Sequence, residues 1–92
     1  MTGKPKSLKD QFAVAKDRVE KLESRPSNDE MLRLYGLYKQ ATEGDASGAR
    51  PGMLDLRGRA KYDAWARKKG TSKDDAMKAY VALVAKLEAA RG

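Results

Sequence analysis

Apolar residues return along this chain at steps of three and four, and breaks in that rhythm divide it into four stretches. Leu8, Phe12, Ala15, Val19 and Leu22 are spaced by four, three, four and three, which puts them on one face of a helix. Pro26 ends that helix, because the residue before a proline is driven out of the α region. Ser27-Asn28-Asp29-Glu30 has the form of a capping box, with the Ser27 hydroxyl and the Glu30 carboxylate satisfying free amides reciprocally. A second helix follows, with Met31, Leu34, Tyr35, Tyr38 and Thr42 on one side, and stops near Gly44.

From Gly44 to Gly58 the periodicity lapses into a segment with four glycines and Pro51. Loops of this length in a small domain are uncommon and often functional. Met53, Leu54 and Leu56 lie in it, and their presence predicts that the loop packs against the rest. A short third helix runs from about Gly58 to Lys69 and stops at Gly70. Thr71-Ser72, with Asp74 and Asp75, caps a fourth helix whose stripe is Met77, Tyr80, Val84 and Leu87. No run alternates apolar and polar residues with β-branched enrichment, so the fold class is all-α. Three short connections would give an up-down-up-down bundle. The long second connection can cross the molecule instead and let the second and third helices run in the same sense. Residues 1–7 read as a loose tail and 8–92 as the domain.

Composition narrows the chemistry. The chain has 92 residues with no cysteine and no histidine. Disulfides, thiolate nucleophiles and cysteine-based metal sites are therefore excluded, as is catalysis by imidazole. Mean hydropathy is −0.79, and no segment approaches the ~20 apolar residues of a membrane span. The N-terminus has basic residues with no apolar run behind them, so no secretory signal is expected. These features predict a soluble cytoplasmic protein that does not insert into membranes. The net charge of +7 is local. Residues 50–69 hold seven basic and two acidic side chains, while the remainder of the chain is nearly balanced. Such a field attracts polyanions or phosphorylated ligands.

No phosphate-loop or dinucleotide-binding glycine motif occurs, and the serines have no histidine partner. Asp74 and Asp75 suit a helix first turn and need no catalytic purpose. Tyr35, Tyr38 and Lys39 stand at i, i+3 and i+4 on one helix face. By spacing alone the tyrosines fit a core edged by Lys39, and Arg57 with Lys61 fits a solvated face. Taken together, phenols and a lysine on one helix and a basic pair on another would suit a phosphorylated aromatic ligand. The rings can stack on a base while the cations take phosphates.

The stretches Tyr35-Gly36-Leu37-Tyr38-Lys39-Gln40-Ala41-Thr42-Glu43-Gly44-Asp45, Arg50-Pro51-Gly52-Met53, Lys61-Tyr62-Asp63-Ala64-Trp65 and Lys69-Gly70-Thr71-Ser72-Lys73-Asp74-Asp75-Ala76-Met77-Lys78-Ala79-Tyr80 occur in that order. With Pro26-Ser27 and Met31-Leu32 ahead of them, the chain from about Phe12 onward resembles the acyl-CoA-binding protein family. The resemblance implies an up-down-down-up four-helix bundle that holds one medium- to long-chain fatty acyl-CoA ester. It implies that Tyr35, Lys39 and Lys61 grip the ribose 3′-phosphate, that Tyr38 stacks on adenine and that Tyr80 contacts the ligand. Arg57 joins this polar group as part of the basic pair. Phe12, Ala15, Met31 and Leu32 would line the acyl tail. Two positions depart from the family: Glu20 stands where a basic residue is frequent, and Tyr62 where tryptophan is frequent. Lys16 or Lys21 could offset the first departure.

The reading is a non-enzymatic, monomeric carrier with no metal and no cofactor, whose partner is the small-molecule ester rather than nucleic acid. A small basic nucleic-acid-binding domain is the alternative favoured by charge, although no helix shows a recognition face rich in Arg and Asn. A peptide-like regulator of a larger protein is a further alternative.

Overall fold

Each helix starts where a side-chain oxygen closes on an amide three residues ahead. A computed structural model of the chain describes residues 7–91, with helices α1 (Leu8–Glu20), α2 (Asn28–Glu43), α3 (Leu56–Ala66) and α4 (Lys73–Arg91) and, among those residues, no strand. Ser7 accepts from the Asp10 amide, Ser27 from Glu30, Asp55 from Gly58 and Ser72 from Asp75, all at 3.0–3.1 Å. At α2 the box is complete, since the Glu30 carboxylate accepts from the Ser27 amide at 2.8 Å. Each such cap contributes about 1 kcal/mol. The expected tail lies outside the described residues apart from Ser7, the cap of α1.

Two boundaries differ from expectation. The first helix ends at Glu20, six residues before Pro26, and the Lys21 and Leu22 amides close it by donating hydrogen bonds to the Arg18 and Val19 carbonyls. The third starts at Leu56 because Asp55 caps it, and residues 67–70 form turns in place of a last helical turn.

The helices form a flat arrangement 50 × 28 × 15 Å in extent. α1 packs on α4, α4 on α2, and α2 on α3. α1 and α4 run in the same sense, since Phe12 meets Tyr80 and Arg18 bonds Glu88. α2 runs against α4, its last turn reaching Thr71 through Gln40. Lys61 lies over the Tyr35 ring and Lys39 over the Trp65 ring, a register that gives α2 and α3 a common sense. The order is therefore up-down-down-up, and the long connection returns the chain along α3.

The core joins α1, α2 and α4 through Phe12, Ala15, Leu34, Leu37, Ala41, Ala76, Met77, Tyr80, Val84 and Leu87. The stripe expected on α4 is buried throughout. On α2 the expected face needs correction. The buried positions are Leu34, Gly36, Leu37, Gln40 and Ala41, while Met31 and Thr42 are exposed. The reason is that α2 is covered on two sides, by α4 and by α3, so its buried surface is rotated away from Met31 and Thr42. Gly36 marks the close approach to α3: a Cβ there would lie 2.5 Å from the Ala64 carbonyl oxygen.

The loop is fastened by polar contacts. Trp65 Nε1 donates to the Gly44 carbonyl (2.7 Å), the Tyr62 hydroxyl to Gly48 (3.1 Å), and Arg50 makes two bonds to Asp63 (2.9 and 2.7 Å). Gln40, fully buried, donates through Nε2 to Asp45 and to the Thr71 carbonyl, both at 2.8 Å. The expectation that Met53, Leu54 and Leu56 pack is overturned, because they are 80%, 99% and 75% exposed. Hydrogen bonds to backbone carbonyls and one ion pair hold the connection, so its apolar side chains have nothing to pack against.

Candidate functional site

α1 and α2 both lie on α4 but meet each other only through long side chains such as Phe12 and Tyr38, whose ring centroids are 5.8 Å apart. Beyond that contact the two helices leave an open cavity of about 530 Å³. Val19 and Leu22 line it from the α1 side, Met31, Leu34, Tyr35 and Tyr38 from α2, and Tyr80 from α4. Its size and apolar walls suit a small-molecule site.

Polar groups are concentrated on the α1 side. The Lys16 ammonium lies 4.7 Å from the Tyr38 ring centroid and donates to its hydroxyl at 3.3 Å, so this lysine points inward. Lys21 turns instead to Asp17, which raises its pKa through their hydrogen bond. Glu20 and Arg25 also line the cavity. Burial pushes the Tyr80 phenol above its ordinary value, and the charge of Glu20 and the nearby Tyr38 add to the shift. A neutral phenol is the form that lines the cavity.

A second group sits on the seam between α2 and α3. The Lys61 ammonium is 5.5 Å from the Tyr35 ring centroid, and the Lys39 ammonium 4.8 Å from that of Trp65. Lys39 also pairs with Glu43, whose hydrogen bond raises the lysine pKa. Tyr35 belongs to both groups: it lines the cavity and underlies Lys61. Cation and phenol meet on the seam because residues 35 and 39 share a face of α2 and residues 61 and 65 a face of α3.

Of the residues singled out from sequence, Met31, Tyr35, Tyr38 and Tyr80 meet at the cavity, and Lys39 and Lys61 lie outside its lining on the α2–α3 seam. Arg57 is exposed one turn before Lys61. Phe12 and Ala15 are buried in the core, and neither is among the cavity-lining residues. Leu32 lines a separate depression with Ala64, Arg67 and Lys68. Val19, Leu22, Leu34 and Pro26 line the cavity without having been singled out. Their spacing assigns them to a core stripe or a helix stop, and periodicity cannot tell a core face from a cavity wall. Arg25 gives no sequence signal.

A flat row of four helices, with an apolar cavity on one side and lysines over aromatic rings beside it, defines a small-molecule-binding helical domain suited to an amphiphilic anion. The chain belongs to the acyl-CoA-binding protein family, whose model, described as acyl CoA binding protein, matches residues 9–84. It is 54% identical over 87 residues to an acyl-CoA-binding protein homolog of Manduca sexta, covering 94% of this chain and 97% of that one. Homolog 1 of Caenorhabditis elegans is 56% identical over 81 residues, covering 88% and 94%. Among solved structures, acyl-CoA-binding protein 2 of Oryza sativa superposes with a TM-score of 0.86 at 41% identity, covering 91% of this chain and 94% of the other. The yeast acyl coenzyme A binding protein gives 0.68 at 46% identity, covering 86% and 92%.

Proposed function

We propose that this chain binds, shields and carries medium- to long-chain fatty acyl-CoA esters in the cytoplasm, as a monomer, without catalysis and without a metal or cofactor. The observation that carries the reading is the junction at Tyr35, where an apolar cavity meets the lysine-bearing α2–α3 seam. An amphiphile with a hydrocarbon tail and phosphates needs both halves together. The acyl tail takes the apolar walls, and each buried methylene contributes about 0.8 kcal/mol, so chain length governs affinity. Tyr38 offers a ring to adenine, and Lys39, Lys61, Arg57 and the Tyr35 hydroxyl take phosphate. Phe12, Ala15 and Leu32 lie outside this cavity, and only the resemblance assigns them to the tail. The names of the relatives support this ligand, and nothing in them supports the nucleic-acid alternative.

Calorimetric titration with esters from octanoyl to stearoyl tests the reading. Affinity is expected to rise with tail length. Lys61→Ala and Lys39→Ala each lose about 1.5–3 kcal/mol of binding with the fold unchanged, the contribution of a hydrogen bond to a charged group. Isotherms without heat for every ester would overturn the proposal. Acyl-CoA affinity should fall modestly with salt, whereas a polyanion binder loses affinity steeply and linearly in log salt.

A further inference from the structure

Three large apolar side chains within four residues stand in water at the start of α3. Met53 is 80%, Leu54 99% and Leu56 75% exposed. Scattered exposed apolar residues need no explanation, but a contiguous group of this kind marks an interaction surface. The tip is held in shape from behind. Arg50 clasps Asp63, the Tyr62 hydroxyl holds Gly48, and the Asp55 amide donates to the Gly52 carbonyl at 3.0 Å. The acid inside the tip, Asp55, is turned back onto the Gly58 amide, so its charge faces the positive end of α3. Arg57 and Arg59 follow in the first turn of that helix. Among the described residues neither makes an ion pair.

We propose that this tip docks the protein on an anionic lipid bilayer. Met53, Leu54 and Leu56 enter the boundary between headgroups and acyl chains, and the arginines behind them take the negative headgroups. A bilayer is favoured over a protein partner by shape and charge. Leu54 touches almost nothing, the form of a side chain that penetrates a fluid layer rather than one that fits a flat interface. The arginines lie next to it, inside the most basic window of the chain, and complement an anionic surface. Among the described residues no helix is long and apolar enough to cross a membrane, so the attachment is peripheral and reversible. This narrows the expected absence of membrane insertion to an absence of spanning. The docking surface shares Arg57 with the proposed acyl-CoA site but rests on the apolar tip, and its test uses no acyl-CoA for binding to lipid.

The test is cosedimentation with vesicles of phosphatidylcholine, with or without about 30% phosphatidylserine, at low and at high salt. The wild type is expected to bind the anionic vesicles at least about ten-fold better than the neutral ones, and to lose that advantage at high salt. Met53→Ser with Leu54→Ser should reduce binding about ten-fold or more, because the apolar anchor is gone. The melting temperature and the calorimetric titration with acyl-CoA should stay those of the wild type, since neither residue packs or lines the cavity. Three results would overturn the proposal: no binding to anionic vesicles, equal binding to neutral ones, or a double variant that binds like the wild type. Size-exclusion chromatography adds a fourth: a wild-type dimer that the double variant dissolves would make the tip a contact between copies.

Discussion

The α1–α2–α4 part of the molecule is held by apolar and aromatic burial, with Phe12, Leu34, Leu37, Tyr80, Val84 and Leu87 in one cluster. α3 buries only Ala64 and Trp65, and it and its long connection rely on polar contacts: the Trp65 indole on Gly44, Tyr62 on Gly48, Arg50 on Asp63, and Gln40 on Asp45 and Thr71. The first part, with the α1–α2 connection, lines the cavity, and the second brings Lys61 over the Tyr35 ring at its edge. A core of the first kind is close-packed and loses stability when volume is removed. In the second kind the part-buried contacts of Trp65 and Gln40 matter most, because a donor or carbonyl that loses its partner away from water costs more than the bond itself contributes, whereas the exposed Arg50–Asp63 pair is worth little. The difference explains why the apolar residues of the connection can remain in water without the fold coming apart.

The largest effect should come from the apolar part. Leu87→Ala is expected to cost about 2–5 kcal/mol of unfolding free energy through lost burial and a cavity. Chemical denaturation measures it, and Leu54→Ala should stay within about 0.5 kcal/mol of the wild type as a surface substitution. Equal losses for the two would break the comparison.

Next is the seam itself. Gly36→Ala places a methyl against the Ala64 carbonyl, a backbone atom that cannot turn aside. The expected cost is about 1–3 kcal/mol, as for overpacking, with a shift of Trp65 fluorescence as α3 moves off α2. An unchanged spectrum would mean that α3 is not locked at this point.

A smaller effect separates the two groups of charges at the site. Glu20 lines the cavity and, among the described residues, makes no ion pair. Glu20→Lys should tighten acyl-CoA binding by up to about 1 kcal/mol at low salt, less as salt screens it. The new lysine would stand one turn from Lys16, and that like-charge pair subtracts a few tenths of a kcal/mol, on the order measured for i, i+4 pairs. Titration at two salt concentrations decides it, and equal affinities at low salt would place the phosphates on the α2–α3 side alone.

The smallest effect is one of pH. Hydrogen bonds from the Gly70 amide and from Gln40 hold the Asp45 carboxyl below its ordinary 3.8, and the bond from Arg50 does the same for Asp63. A depressed carboxyl stabilises the fold above its unfolded pKa, and that contribution is lost as pH falls through the lower, folded value. α3 should therefore loosen below about pH 4, reported by Trp65 fluorescence, before the apolar core melts. Asp45→Asn and Asp63→Asn should each flatten the acid limb, and an acid limb unchanged in both would show that these carboxyls do not fasten α3.

The sequence alone determined what depends on local spacing. The stripe Met77, Tyr80, Val84 and Leu87, the caps at Ser27 and Ser72, and the four helices are legible because each rests on residues three or four apart. The family resemblance is legible for the same reason, as motifs kept in order along the chain. The tertiary structure alone decided which periodic residues face another helix and which face an opening. Val19 and Leu22 carry the spacing of a core stripe and pack against the core, yet they also line the cavity, because α1 and α2 both lie on α4 without packing on each other. It also decided the fate of Met53, Leu54 and Leu56. Hydrophobicity predicts burial only where a partner surface is within reach, and here hydrogen bonds had already fixed the connection in a path that offers none.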